Sequence, residues 1–360
     1  MSIFNLTCPI TLNTSYGGVA YNIYTNQDFE GCVFSCPERQ VANIEVITRG
    51  MAQRLGAGIK VKNFQQHLTA KKEYTSWPNI KIFHASNLEM PGNHRIGWPI
   101  FELETFNEKE KYSIASCDEL FVCSTWAKQC VEENLGYHMP VSVVPLGVDP
   151  DLFCVNETPS EYKEFTFLSC GKWEIRKGHD VLVEAFNEAF SFKDNVRLIM
   201  LMNNQFREDY VSQKIIEYSR TKLGSKILPF AVGISTEQLV HVMQNSDCGV
   251  FPSCAEGWNM PVLEMMSCGK PVIVSNNTAH SEYCTSENSH LIDVTDPVIA
   301  NDGYWFNGEG FWRPPVKEHL VSLMRQVFEQ GKNQFNLSGR ETAERFSWQN
   351  TFDCIKSLVH

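Results

Sequence analysis

The segment "CAEGWNMPVLEMMSCGKPVIVS", residues 254–275, holds two glutamates, Glu256 and Glu264, eight positions apart. Pro261 between them suits the first turn of a helix, where its missing N–H would have no partner. Gly269 and Pro271 stop that helix two turns later. The flanking runs "CGVFPS" and "PVIVS" read as strands, so the helix begins just past the carboxyl end of a parallel strand, where open α/β sheets take their ligands. Free backbone amides at such a helix start are an anion site. A carboxylate accepts two hydrogen bonds side by side, which matches a vicinal diol. Glu264, one turn into the helix, would take a ribose pair, and Glu256, in the loop ahead, sugar hydroxyls. Two diol readers beside one anion site describe a nucleotide diphosphate sugar.

Outward from this segment, short apolar runs alternate with longer stretches of helical period, the pattern of α/β layers with parallel sheets. "EFTFLSC" (164–170), "VRLIMLM" (196–202) and "KILPFA" read as strands. "HDVLVEAFNEAF" (179–190) and "REDYVSQKIIEYSRTKLG" (207–224) read as helices, the second closed by Gly224, and a capping box at Ser235 and Gln238 opens a third. The first half repeats the theme with "SIFNLTCPI", the helix candidate "YGGVAYNIYTN", "NIKIFHA", "DELFVCS" and "PVSVVPL". The turn-rich "PLGVDPDLFCVNETPS" (145–160) reads as a linker. Two domains follow: 1–150 and 151–341, with a terminal helix at 342–360.

Composition bounds the partners. A chain of 360 residues, 43% hydrophobic and 20% charged, is globular. Its net charge of -11 disfavours nucleic acid, which is held by clustered Lys and Arg. The N-terminus has no basic, apolar leader and no run of about 18 apolar residues occurs, so a cytoplasmic protein is expected. Thirteen cysteines, an odd number without paired CxxC spacing, read as reduced buried thiols. The sequons at Asn5, Asn13, Asn156, Asn276 and Asn336 are then only formal. Arg54, Lys60, Lys62, Lys71, Lys72 and Lys81 form a local basic surface, read as a solvated face; peripheral membrane contact is its alternative.

The sentence "PSCAEGWNMPVLEMMSCGKPVIVS" resembles the signature of retaining glycosyltransferases of the GT-B fold, family 4, in which two glutamates separated by seven residues precede "GKPVI". Glu256, Gly257, Pro261, Glu264 and Gly269 fall on that motif; Trp258 and Asn259 stand where the family often has an aromatic residue and then glycine. "LSCGKWEIRKGHDVLVEAF" is similar to the family's second signature, a cation after Gly and a Lys-Gly before a helix. The resemblance implies an α/β, GT-B architecture of two Rossmann-like domains facing each other across a cleft. It also implies transfer of a hexosyl unit from a nucleotide diphosphate sugar to a hydroxyl of a glycan, glycolipid or other acceptor, with retention and without a metal or other cofactor. UDP or GDP is expected ahead of ADP.

By the same resemblance Lys172 and Lys177 would stabilise the departing diphosphate, with Arg176 able to take the place of Lys172. Gly257, Trp258, Asn259, Met260, Pro261 and Val262 would contribute the helix start. Gly17 and Gly18 would approach the phosphates, the loop around Val232 the base, and His84 the donor sugar. Glu102 and Glu104 are candidates for the acceptor side. Asp149 and Asp151 form a nominal Asp-x-Asp, but they lie in the linker turn and are not read as metal ligands. Three rivals remain open: a glycoside hydrolase, whose carboxylates need no cation cradle; a nucleotide-sugar epimerase of the same fold; and a sugar-nucleotide binding protein without turnover.

Overall fold

The computed structural model describes residues 4–9, 15–26, 29, 31, 33–35, 61–63, 76–136, 139–158 and 160–359. The chain divides into two compact units, Met1–Leu146 with Trp348–His360, and Gly147–Ser347.

In the first unit a seven-stranded sheet runs in the order β3-β2-β1-β4-β5-β6-β7 with every neighbour parallel. Its strands are β1 (Asn5–Cys8), β2 (Val33–Ser35), β3 (Val61–Asn63), β4 (Asn79–Phe83), β5 (Arg95–Pro99), β6 (Glu119–Val122) and β7 (Val141–Val143). Among the described residues before 147 the helices are α1 (Ser15–Tyr24), α2 (Glu108–Ala115) and α3 (Thr125–Leu135). Asn107 and Glu110 close a capping box on α2, and Ser124 Oγ accepts the Ala127 amide to start α3, ended by left-handed Gly136.

The second unit centres on a six-stranded parallel sheet, β10-β9-β8-β11-β12-β13. These strands are β8 (Phe165–Cys170), β9 (Val196–Leu201), β10 (Ile227–Phe230), β11 (Cys248–Phe251), β12 (Val272–Ser275) and β13 (His290–Ile292). Strands β8, β11 and β12 are buried along their whole length, which is why their sequences read as mostly apolar runs with small polar residues rather than strictly alternating ones. Crossovers are made by α4 (His179–Ala189), α5 (Glu208–Ser219), α6 (Thr236–Asn245) and α7 (Met260–Ser267), followed by α8 (Lys317–Gln330) and α9 (Leu337–Arg345). Phe165 and Phe190 pack on Phe328 of α8, with ring centroids 5.5 and 5.2 Å away, and Phe167 and Phe186 join the same core. Strand order reverses between β8 and β11, and in a doubly wound sheet that is where a ligand crevice opens.

Several expectations need correction. The terminal segment is not one helix from 342: α9 ends at Arg345, the chain pairs at Ser347 with Val148, and only α10 (Trp348–Leu358) belongs to the first unit. There Thr351 Oγ1 donates to Pro145 O at 2.9 Å and Phe352 packs on Phe4. Gly224 does not close α5, which ends at Ser219; a Cβ at 224 would strike the Ser219 carbonyl, so this glycine serves a close approach. Strand β5, "RIGWP", and the antiparallel hairpin β14 (Val298–Asn301) and β15 (Asn307–Trp312) were hidden by their Gly, Pro and Asn content. All described cysteines are free thiols. Of the basic surface, Arg54, Lys60, Lys71 and Lys72 fall outside the described residues, while Lys81 is buried and donates to Asn87 Oδ1 and Glu89 O. Among the described residues no helix is long and apolar enough to cross a membrane.

Candidate active site

The site is built at the reversal point, from the loops that follow β8 and β11. After β8 the chain turns at Gly171, whose φ of +152° suits glycine, and the Lys177 stem passes about 3.5 Å from the place a Cβ would occupy. A short 3-10 turn, Ile175–Lys177, then leads into Gly178, left-handed at φ +71° and so close to the Pro252 carbonyl that a Cβ could not fit. The Lys-Gly pair of the sequence is thereby explained: the glycine lets the β8 and β11 loops touch. Trp173, fully buried, anchors the turn by donating from Nε1 to Tyr218 Oη, which donates on to Asp180. Asn204, in the "MNNQ" that follows β9, donates to the Trp173 carbonyl at 2.7 Å.

These loops bring together a chain of alternating charges. Lys177 Nζ lies 2.7 Å from Glu256 Oε1, and Arg176 Nη1 lies 2.9 Å from Glu256 Oε2. Arg176 Nη2 continues to Glu174 Oε2 at 2.8 Å, and Glu174 Oε1 accepts Lys172 Nζ at 2.8 Å. Ser253 Oγ adds a 2.6 Å bond to Glu256 Oε1, and the Glu256 amide donates to Thr278 Oγ1. Burial pushes the Glu256 carboxyl up, but Lys177 and Arg176 overcome this and hold it far below the ordinary carboxylate range. Glu174 behaves alike: burial raises it, and Arg176 and Lys172 bring it below its usual value. Both glutamates are therefore ionised at neutral pH. The cluster carries three cations against two carboxylates, an excess of one positive charge.

The geometry redistributes the roles expected from sequence. Arg176 is no exposed stand-in for Lys172; it is buried, and Nη1 also donates to the Ala255 carbonyl, tying the two loops together. Both Glu256 oxygens are already engaged by cations, so its first task is to place Lys177 and Arg176. Glu174, Ser253 and Thr278 were not singled out from sequence; only the position of Glu174 between Lys172 and Arg176 hinted at it.

Ahead of α7 the chain is pinned in an unusual shape. Asn259 has φ +75° and ψ +68°, a left-handed conformation that Asn tolerates and Gly prefers, which accounts for the glycine common at this place in the resembled motif. His280 Nδ1 contacts the Ser275 carbonyl at 2.9 Å and so must be the protonated nitrogen; Nε2 then accepts from Asn259 Nδ2 at 2.9 Å. Burial outweighs the nearby Glu256 and keeps this imidazole neutral. Tyr283 Oη donates to the Trp258 carbonyl at 2.6 Å and lies 3.1 Å from that of Asn259. Held this way, the amides of Gly257, Trp258, Asn259 and Met260 have no acceptor among the described residues. The helix start is an open donor set. Pro261 lies in its first turn, as expected, whereas the Val262 amide is bonded to the Asn259 carbonyl and the Trp258 ring packs between Tyr283 and Phe346. The side chains of those two are buried. Half-buried Glu264 has no ion pair or hydrogen bond from its carboxylate among the described residues, and burial pushes it up to about 7.

The other expected residues belong to other elements. Gly17 and Gly18 fall inside the first turns of α1 rather than in a loop, and a Cβ at Gly18 would meet nothing within 4 Å. Val232 is exposed after β10. His84, exposed at the end of β4, receives the Ser86 amide at Nδ1 and lies 4.0 Å from Glu110. Glu102 and Glu104 are half-buried in the first unit. Asp149 Oδ1 accepts the amides of Asp151 and Leu152, a turn-capping task, and no group of three or more candidate metal ligands occurs among the described residues.

Comparison with known proteins bears on the same loops. Residues 155–298 match the family described as Glycosyl transferases group 1. That span covers every strand of the second sheet and both charged loops. An uncharacterized glycosyltransferase of Methanocaldococcus jannaschii is 25% identical over 282 residues, 77% of this chain and 67% of its own length. The O-antigen chain mannosyltransferase B of Escherichia coli is 24% identical over 185 residues, 51% of this chain and 42% of its own. This chain thus spans less than half of the mannosyltransferase. Among solved structures, the Anabaena protein HepE in complex with UDP and glucose aligns over 99% of both chains with a TM-score of 0.76 at 13% identity. The fold is of the GT-B type, two Rossmann-like domains with parallel sheets, as the motifs implied.

Proposed function

We propose that this protein is a glycosyltransferase that moves a hexosyl unit from a nucleotide diphosphate sugar to an acceptor hydroxyl. One observation carries the reading: a cation pair, Lys177 and Lys172, and the amides of 257–260, without an acceptor among the described residues, belong to adjacent loops at the reversal of the second sheet. Such an arrangement holds a diphosphate and stabilises the charge that gathers on it as the glycosidic bond breaks. Glu264 takes the ribose hydroxyls, and Glu256 keeps the cations in place and faces the sugar hydroxyls. Cation stabilisation of the leaving group supports a reaction without metal. Retention, a glycan or glycolipid acceptor held by the first unit, and a contact of His84 with the donor sugar complete the reading. UDP is the first nucleotide to try, since the Anabaena relative was captured with it.

The test is a thermal-shift panel of UDP, GDP, ADP and their sugars, followed by transfer from the stabilising donor to an array of glycan acceptors. One nucleotide diphosphate should raise the melting temperature well above the others. Absence of any nucleotide-dependent shift would sink the proposal, and conversion of donor without acceptor would favour an epimerase instead.

A further inference from the structure

The hairpin β14–β15 has no place in the layers of the second unit, yet both its ends are tied to the charged loops. At its base the Arg313 amide donates to the Cys254 carbonyl at 3.2 Å, two residues before Glu256. Asn277 Nδ2 bridges the same place, donating to the carbonyls of Ser253, Cys254 and Arg313. At its tip Asp302 Oδ1 accepts the amides of Tyr304, Trp305 and Phe306 at 2.8–2.9 Å, and Gly303 supplies a left-handed φ of +68°. The tip is therefore a side-chain-capped turn that carries Trp305.

Trp305 meets Phe206 at right angles, ring centroids 5.8 Å apart, and Lys172 Nζ sits in the corner, 5.6 Å from each ring. Tyr304 stands edge-on to Trp305 and faces Arg207. The ammonium of Lys172 thus has an aromatic wall on one side and Glu174 on the other. A free lysine on a surface turn would sample many rotamers; two ring faces and one carboxylate select one of them.

We propose that the hairpin 298–312 is a positioning element that holds Lys172, through Trp305 and Phe206, in register with the Glu256 loop to which its base is bonded. Rings and lysine act as one unit: the rings do not touch the diphosphate, and their effect passes through the ammonium. The role of Lys172 at the diphosphate rests on the function proposed above, but its placement by the rings does not.

The experiment therefore reads both. In the protein without nucleotide, the side-chain methylene resonances of Lys172, assigned with Lys172→Arg, should be displaced by the ring currents of Trp305 and Phe206. Trp305→Ala should return them toward the values of an exposed lysine, and Trp305→Phe should keep much of the displacement. UDP affinity, measured by calorimetry, should fall roughly three- to tenfold in Trp305→Ala. In a Lys172→Met background the same change should have little further effect, the mark of a coupled pair. Undisplaced Lys172 resonances in the wild type, or fully additive losses in the double variant, would overturn the proposal. If no nucleotide binds the wild type, the function reading falls, and the resonances alone still decide whether the hairpin places Lys172. Since Trp305 and Phe206 are about half exposed, melting curves should confirm that the variants fold.

Discussion

Glu256 Oε1 stands 2.7 Å from Lys177 Nζ in a buried setting, and the same carboxylate holds Arg176 through its second oxygen. Removing its charge takes the carboxylate from Lys177 and leaves Arg176 with Glu174 alone. Glu256→Gln should therefore destabilise the second unit by about 3–5 kcal/mol, readable as a lower urea midpoint at unchanged m-value. An unchanged midpoint would show that the pair is worth no more than a surface salt bridge.

The same carboxyl sets the response to acid. Its folded pKa is depressed, so between that value and the unfolded value near 4.5 the unfolded chain binds more protons, and stability rises with pH. The contribution is complete above about pH 5 and is lost as pH falls below about 4.5. Urea titrations from pH 6 down to pH 3 should show this decline, and Glu256→Gln should remove a visible part of it.

Lys177→Ala makes a different prediction. Arg176 still neutralises Glu256, so the fold should survive, while the leaving diphosphate loses a fixed cation. Turnover should drop about 10²-fold or more, with the melting temperature nearly kept. Near-normal turnover would take Lys177 out of the reaction.

Much of this was legible in the sequence, and for identifiable reasons. Fully buried parallel strands such as β8 and β12 leave mostly apolar runs, and Ser235 with Gln238 spells its capping box openly. The helix start at Pro261 was visible because proline has few places to go. What stayed hidden depends on distant partners. Nothing local tells that Glu174 bonds Arg176, that Asn204 grips the Trp173 carbonyl, or that His280 bonds Asn259. The break between α9 and α10 escaped notice because Phe346 and Ser347 carry no helix-stop residue; the chain bends there to pair with Val148.

Asn259 offers a test of the pinned loop. At φ +75° a Cβ-bearing residue without Asn's local hydrogen bonding costs roughly 1–2 kcal/mol, whereas Gly adopts the conformation freely. Asn259→Ala should lower stability and UDP affinity together, and Asn259→Gly should keep affinity near that of the wild type. If Gly fails as badly as Ala, the bond to His280 rather than the backbone shape sustains the site.

Glu264 predicts the pH dependence of binding. Burial pushes its carboxyl up to about 7, so near neutral pH part of the free protein carries it protonated. Ribose hydroxyls donate hydrogen bonds, which favour the ionised form, so binding expels the proton. Affinity should rise as pH increases toward 7 and level off above it. UDP-glucose is the better probe than UDP, because its diphosphate has no terminal phosphate group titrating in this window. Glu264→Gln should weaken binding and flatten the profile between pH 6 and pH 8. A wild-type profile already flat across that window would mean that Glu264 does not hold the ribose.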